Sequence, residues 1–400
     1  MRAAAGGLAQ HAAALLARDL DALAEQLVAL IQADVPAYGS LFALSAAELR
    51  ESCRSNLERS LRELVEGLPS ADGSATPQAE TGRRRARQGL PLEALLHSYR
   101  LGGRVLWQGV VRRAEAEVVP DAAWRLLEEA GLVWEMIDRH SSVVSAAYRA
   151  EQARLLQRTQ RRREALLVAL LDGHGVDAEV VREAASVLGM PPEGPRCVVT
   201  AAVDARTTEP LPGAEAALLA AGFVSSWVTR TRHETGLVLL PPGRALQEVV
   251  GVLSAAAVGR VGVSAPVGSF DQVGRAARLA DLALRTLPED AVGVVTVLQR
   301  LPQALLAGGG AVTALLVEQA LGPVLALRPA DRDTYLGTLE VLLDCDGHAT
   351  AAARRLFCHR NTVLKRVHRL EQLTGLRTTR TADLVLLRLA LLAVRQGPRG

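Results

Sequence analysis

The densest chemistry in this sequence lies near its C-terminal end. Residues Ala349 to Leu373 read ATAAARRLFCHRNTVLKRVHRLEQL, and Arg360, Asn361, Lys365, Arg366 and Arg369 crowd into a short part of that run. Arginine can donate two parallel hydrogen bonds to guanine, and asparagine can pair with adenine in the same way. Each such pair is worth about 1–3 kcal/mol of discrimination between bases. Thr350, Thr362 and the remaining basic side chains can hold phosphates, which set register without reading sequence. From Cys345 to Gly400 there are eleven basic residues against three acidic ones, while the whole chain carries only +3. A basic end on a mildly acidic body suits a polyanion. Lys365 is the only lysine among 46 basic residues. This bias toward arginine lowers the weight of arginine runs elsewhere.

Other reactive residue types are weaker candidates. Cys345, His348, Cys358 and His359 are types that zinc accepts. Cys358 and His359 are adjacent, however, and a buried free cysteine is the commoner outcome, so no metal ligands are expected. Asp204 and Glu234 are carboxylates of the kind a two-metal centre requires. The second lies in Arg232-His233-Glu234-Thr235-Gly236, without the glycine pair that lets a nucleotide approach the backbone, so no catalytic residues are expected. His97 and His140, with Tyr99, Trp107 and Trp134 nearby, sit on helix stripes that read as core or half-buried surface, and no cofactor is expected. Arg83, Arg84, Arg85 and Arg87 can contact phosphate, but read better as a solvated helix face. The four cysteines are scattered, which fits a reducing cytoplasm. Four Phe, four Trp and four Tyr in 400 residues argue against recognition of single strands by stacking. The longest uncharged stretch, Leu301 to Val317, contains Pro302 and three consecutive glycines, so no membrane span is expected.

The surrounding elements fall into three parts. Residues 1–150 read as an all-helical domain, with Leu16, Leu20, Leu23, Leu27, Leu30 and Ile31 at helical spacing. Ser45 and Glu48 have the spacing of a capping box. Gly67 to Gly82 reads as a loop, and Pro91 opens another helix. A long helix spans about Ala122 to Leu171. Its middle, Arg149 to Glu164, is charged on nearly every turn, and 151–171 is expected to be a connector helix leaving the first domain. Residues 172–300 alternate strand and helix patterns. Arg196–Val203, Arg260–Ser264 and Ala291–Leu298 read as strands, and Ser225–Leu240 as a hairpin turning at His233–Gly236. Arg244–Ala257 and Asp271–Leu287 read as two covering helices. Residues 301–400 read as helical again. The expected class is therefore multidomain and mainly α, with an α/β domain in the middle.

The C-terminal motif, about 349–373, is a short helix with small residues Ala349, Ala352 and Ala353 on one side, a turn at Phe357-Cys358, and a basic helix closed by Gly375. Val363, Val367 and Leu370 can face a core while the polar residues face out. This is the arrangement a helix-turn-helix needs. The run HATAAARRLFCHRNTVLKRVHRLEQLTG resembles the C-terminal helix-turn-helix of the PucR/CdaR family of bacterial transcription regulators, whose pattern is TA..L..HRNT..YRL.RIE.LTG. Thr350, Ala351, Leu356, His359, Arg360, Asn361, Thr362, Arg366, Arg369, Glu371, Leu373 and Gly375 carry the match. Lys365-Arg366-Val367 stands where the family has Tyr-Arg-Leu, which keeps the arginine and loses the aromatic. The middle domain looks like the degenerate GGDEF-like domain of this family. RRRARQGLPLEALLHSYRLGGRVLW looks like the helical N-terminal domain of some members, itself similar to the RsbR-type sensor module.

The resemblance implies a cytoplasmic regulator that binds double-stranded DNA through Thr350, Arg360, Asn361, Thr362, Lys365, Arg366 and Arg369. One motif per chain implies a homodimer or higher even oligomer. A small-molecule effector of unknown identity is compatible with the helical domain. The alternatives are a partner-switching scaffold, which has no use for Arg360, Asn361 and Lys365 at one helix start, and a nucleotide-signalling enzyme.

Overall fold

The structure, a computed structural model, describes residues 7–38, 45–66, 76–116, 122–205 and 207–396. The chain forms two compact units, Met1–Gln160 and Arg161–Gly400.

In the first unit the helices are α1 (Leu8–Leu16), α2 (Leu20–Asp34), α3 (Ala46–Glu66), α4 (Pro77–Arg87), α5 (Leu92–Ala116) and the first part of α6 (Ala122–Leu171). Leucines three and four apart on α2 and α3 (Leu23, Leu27, Leu57, Leu61) meet Leu101, Val105 and Val110 of α5 in one core. The backbone N–H of Glu48 donates to the Ser45 hydroxyl at 3.1 Å, which fixes the start of α3. Two expectations are corrected. Residues 77–82 are helical, because the Thr76 hydroxyl accepts from Ala79 N at 3.2 Å and Pro77 occupies the first turn. Residues 67–75 of the expected loop lie outside the described residues. Of the arginines of α4, Arg83, Arg84 and Arg87 stay 30–47% exposed, and only Arg85 departs from a solvated face. Arg83 pairs with Glu80 at 3.0 Å, Arg87 with Glu151 at 2.8 Å, and Arg85 is 1% exposed.

Glu151 accepts from Arg154 at 2.7 and 2.9 Å as well as from Arg87. These hydrogen bonds, Arg154's first, hold its carboxyl at about 2. An unfolded glutamate titrates near 4.3, so the link stabilises the unit fully above that pH and is lost as pH falls toward 2. Melting temperature measured against pH should therefore show a gap between wild type and Glu151→Gln that closes on acidification from pH 5 to pH 2. A gap independent of pH would show that the carboxylate's charge is not what stabilises.

The second unit opens with the end of α6 and α7 (Ala178–Leu188), then a six-stranded sheet. Its strands are β1 (Glu193–Ala202), β2 (Ser225–Thr229), β3 (His233–Leu239), β4 (Arg260–Val263), β5 (Val267–Ser269) and β6 (Gly293–Thr296). The order is β2-β3-β1-β4-β6, with β5 pairing β1. All pairs are antiparallel except β4–β6. Between strands lie α8 (Ala214–Ala220), α9 (Leu246–Ala256) and α10 (Val273–Arg285). On one face Val198 and Leu237 pack with Leu167 and Leu170 of α6, Leu188 of α7 and Ala276 and Ala280 of α10. On the other, Cys197, Val199 and Ala201 pack with Leu218 of α8 and Val249 and Leu253 of α9. Successive β1 side chains alternate between two apolar layers, which is why this strand reads as a continuous apolar run.

Two further corrections arise here. The sheet is covered by α7 and α8 as well as α9 and α10; α8 spans only seven residues, too few for a period to show. The hairpin reverses at Arg230–Arg232, where Arg230 N donates to His233 O at 2.7 Å, and residues 233–236 are already in β3. Gly236 lies under the Trp227 ring, where a Cβ would approach to 2.7 Å. It is a packing glycine, not a turn glycine.

The chain ends in α11 (Leu301–Gly308), α12 (Gly310–Leu325), α13 (Pro329–Asp344), α14 (Ala349–Arg355), α15 (Arg360–Thr374) and α16 (Thr381–Gln396). Leu321, Val324, Leu336, Leu339, Leu387 and Leu391 form their main core. Among the described residues no single helix is long and apolar enough to cross a membrane. One pair passes that test jointly, Val297–Gly308 with Ala311–Leu325, and it is bent by 90° at the glycines.

Candidate nucleic-acid interface

α14, a tight turn and α15 are built from local signals. Ala352 and Ala353 are buried against Val363 and Val367 of α15 and Leu342 of α13. Small side chains on α14 allow that approach. The turn is closed by Leu356 N to Ala352 O at 2.9 Å and Cys358 N to Ala353 O at 3.1 Å. Phe357 bridges it with φ 49°, a left-handed conformation uncommon for a bulky side chain, and is 97% exposed. His359 caps α15: its Nδ1 accepts from Asn361 N at 3.2 Å. Gly375 ends the helix at φ 72°. Beyond it the Glu371 carboxylate accepts from both the backbone N–H and the hydroxyl of Thr378 at 2.8 Å, which ties down the following loop.

Behind α15, Val363, Val367 and Leu370 are buried. Residues on the opposite side point away from the protein. Arg360, Asn361, Lys365 and Arg369 are exposed. The side chains of Arg360, Asn361 and Lys365 make no hydrogen bond or ion pair among the described residues. Arg369 donates to Gln372 at 3.3 Å. Thr350 is exposed at the start of α14, and Thr362 is half-buried on α15. The outward reading of Arg366 is corrected. It is half-buried, and its Nη1 donates to the Thr338 hydroxyl of α13 at 3.4 Å. At 3.6 residues per turn, position 366 falls beside Val363 and Leu370, not beside Lys365.

Sequence reasoning missed His368. It is exposed two turns beyond Asn361 and one turn beyond Lys365, and its Nε2 lies 3.0 Å from Gln372 Nε2. The helical period alone places it on the outer face. Cys345, His348, Cys358 and His359 do not converge. His348 Nδ1 lies 3.0 Å from Cys345 O, His359 serves its own helix, and no cluster of three or more His, Cys, Asp or Glu able to hold a metal occurs among the described residues. In the middle domain Asp204 accepts from Thr207 N at 2.9 Å in its own loop, while Glu234 lies opposite Ala201 in the ladder. His97 is half-buried, and His140 is buried, with Nε2 2.8 Å from Glu63 and Nδ1 3.4 Å from the Ser60 hydroxyl.

Comparison with known families matches three separate parts of the chain. Residues 21–163 match the RsbT co-antagonist protein rsbRD N-terminal domain, 172–286 the GGDEF-like domain, and 335–393 the PucR C-terminal helix-turn-helix domain. Uncharacterized proteins of Mycobacterium tuberculosis and Mycobacterium bovis are 36% identical over 90 residues, 22% of this chain and 21% of theirs. The chain thus matches about a fifth of the length of these curated relatives. A solved regulator of polyketide synthase expression from Bifidobacterium adolescentis is similar at 19% identity, with 60% of this chain and 100% of that one covered and a TM-score of 0.32.

Proposed function

We infer that this chain, which has the domain architecture of PucR/CdaR transcription regulators, is a sequence-specific, effector-responsive DNA-binding regulator that reads the major groove with α15. The observation that supports this most is the outer face of that helix. Arg360, Asn361 and Lys365 are exposed at its N-terminal end with no partner among the described residues, while Val363, Val367 and Leu370 anchor its back. Recognition helices present such side chains to base edges from their first turns. In this reading Arg360 and Asn361 contact bases, Lys365 and Arg369 contact bases or phosphate, and Thr350 and Thr362 hold phosphates. Arg366 positions α15 against α13 and reaches phosphate only if it leaves Thr338. The protein acts as a cytoplasmic homodimer or higher even oligomer and carries no catalytic centre. The 1–150, 172–300 and 301–400 parts sense, relay and bind, with 151–171 connecting the first two.

A specific feature favours protein contacts as well. Trp124, Leu127 and Trp134 of α6 are 56–68% exposed at positions that fall near one side of the helix. Such a face suits self-association or a partner-switching contact.

Selection of random duplex DNA by the full-length protein, followed against salt, tests the reading. An enriched motif is expected, with at least two chains per bound duplex by sedimentation. Lys365→Ala and Arg369→Ala should each lower the salt slope by about 0.9 for every phosphate contact removed. Enrichment of no motif at any salt, or one chain per duplex, counts against it.

A further inference from the structure

The N-terminal helical unit holds a partly open cavity of about 70 Å³ between α2, α3, α4, α5 and the first part of α6. Leu27, Leu57, Leu95, Leu106 and Ile137 give it an apolar side, and polar side chains line the rest. The polar groups that line it are mostly spent on the protein itself. The Tyr99 hydroxyl donates to Asn56 Oδ1 at 2.9 Å, Asn56 Nδ2 donates to Ser52 O at 2.7 Å, and the Ser60 and Ser98 hydroxyls donate to carbonyls of their own helices.

Arg85 is the exception. It lines the cavity and is 1% exposed. Its Nη1 donates to Gln88 at 2.7 Å and lies 3.8 Å from Glu48. That glutamate also accepts from Gln88 at 3.1 Å and lies 3.8 Å from Arg84. The other edge of the guanidinium is poorly served. Nη2 makes one long bond, 3.3 Å, to the Ser52 hydroxyl, and Nε–H has no acceptor among the described residues. The Tyr38 ring lies 6.0 Å from Cζ, at the limit of a cation–π contact. A buried cation needs an anion or a full set of acceptors. The Nε/Nη2 edge is the fork that a carboxylate matches with two parallel hydrogen bonds.

We propose that this cavity binds a small aliphatic monocarboxylate, of acetate to butyrate size, with its carboxylate on the Nε/Nη2 edge of Arg85 and its tail among the leucines. Size sets the class. Drug-sized ligands take roughly 300–1,000 Å³, and an engineered cavity of roughly 150 Å³ holds benzene; this one is half of that. Because most other polar side chains of the lining are held by protein partners, the one underserved charged donor edge calls for one anionic head. Only the step from binding to DNA output rests on the functional reading above, with the acid as the effector.

Calorimetric titration of the full-length protein without DNA tests the site. Acetate, propionate and butyrate are compared with propionamide at constant ionic strength. Saturable binding of one propionate per chain is expected at about 1 mM or tighter, a reachable value for five heavy atoms, with propionamide at least tenfold weaker. Arg85→Gln should weaken propionate at least tenfold. Gly102→Ala gives a second variant that keeps the fold, since a Cβ there meets only Leu27 Cδ2 at 3.5 Å. It narrows the cavity and should weaken butyrate more than acetate. The proposal is overturned if no acid binds saturably, if propionamide binds as tightly as propionate, if Arg85→Gln binds unchanged, or if Gly102→Ala leaves the butyrate-to-acetate ratio unaltered. Because no DNA is present, such a failure leaves the DNA reading standing. Loss of DNA selection would equally leave this site intact.

Discussion

Asn361→Ala should weaken binding to the selected DNA motif by roughly 5- to 150-fold while leaving binding to random duplex nearly unchanged. The range corresponds to about 1–3 kcal/mol for one bidentate base contact. Asn361 is suited to this role because its side chain is exposed and has no hydrogen-bond partner among the described residues, whereas its backbone N–H is already held by His359. Removing the amide therefore leaves the helix start intact. The motif recovered in a repeated selection should lose preference at one base pair per half-site. Arg360→Ala should do the same at a neighbouring position. Lys365→Ala, if it holds phosphate, should weaken motif and random duplex alike. Equal losses on both DNAs for Asn361→Ala would show that this residue does not read sequence. Unchanged affinity on both would remove α15 from the interface.

A second large effect is expected far from DNA. Gly262→Val in β4 should lower the unfolding midpoint of the second unit by about 6–12 °C, equivalent to roughly 3 kcal/mol or more. A Cβ at Gly262 would sit 2.3 Å from Ala280 O and 2.4 Å from Leu284 N. These are backbone atoms of α10, so no side-chain rotation can relieve the clash, and the helix must lift off the sheet. That helix covers β1 and β4 with Ala276, Ala280 and Ala283, all fully buried. Gly251→Ala in α9 is the control. Its Cβ meets nothing within 4 Å, and it should be neutral or stabilising by about 0.5–1 kcal/mol. Thermal unfolding followed by circular dichroism distinguishes the two. A midpoint within 2 °C of wild type for Gly262→Val would mean that α10 does not rest on this strand.

Sequence places Gly262 in a strand and Gly251 in a helix but does not record what lies across from either. The same contrast runs through the molecule. The helix-turn-helix was legible because its determinants are consecutive: alanines on α14, a tight turn, Val363, Val367 and Leu370 at helical spacing, and Gly375 as a stop. The long α6 was legible to its ends, since an unbroken helical period over many turns has no rival reading. The strand β1 was legible as an apolar run because two layers bury it. By contrast, α8 was too short to show a period, and Gly236 mimicked a turn signal while serving the Trp227 ring.

Sequence by itself thus determined the order of helical, α/β and helical parts, the motif near the C-terminus and the outward set Arg360, Asn361, Lys365 and Arg369. Each follows from local period, caps and charge, which act within a few residues. Tertiary structure alone decided which of four neighbouring arginines in α4 is buried. Gly82 of that helix lies against the backbone of α6, where a Cβ would come within 2.6 Å of Val144 O. This close approach turns Ala79, Ala86 and Arg85 inward together. It likewise decided that Arg366 is half-buried, with its Nη1 on Thr338. Burial depends on which surface arrives from elsewhere in the chain, and identical side chains in one run carry no record of that.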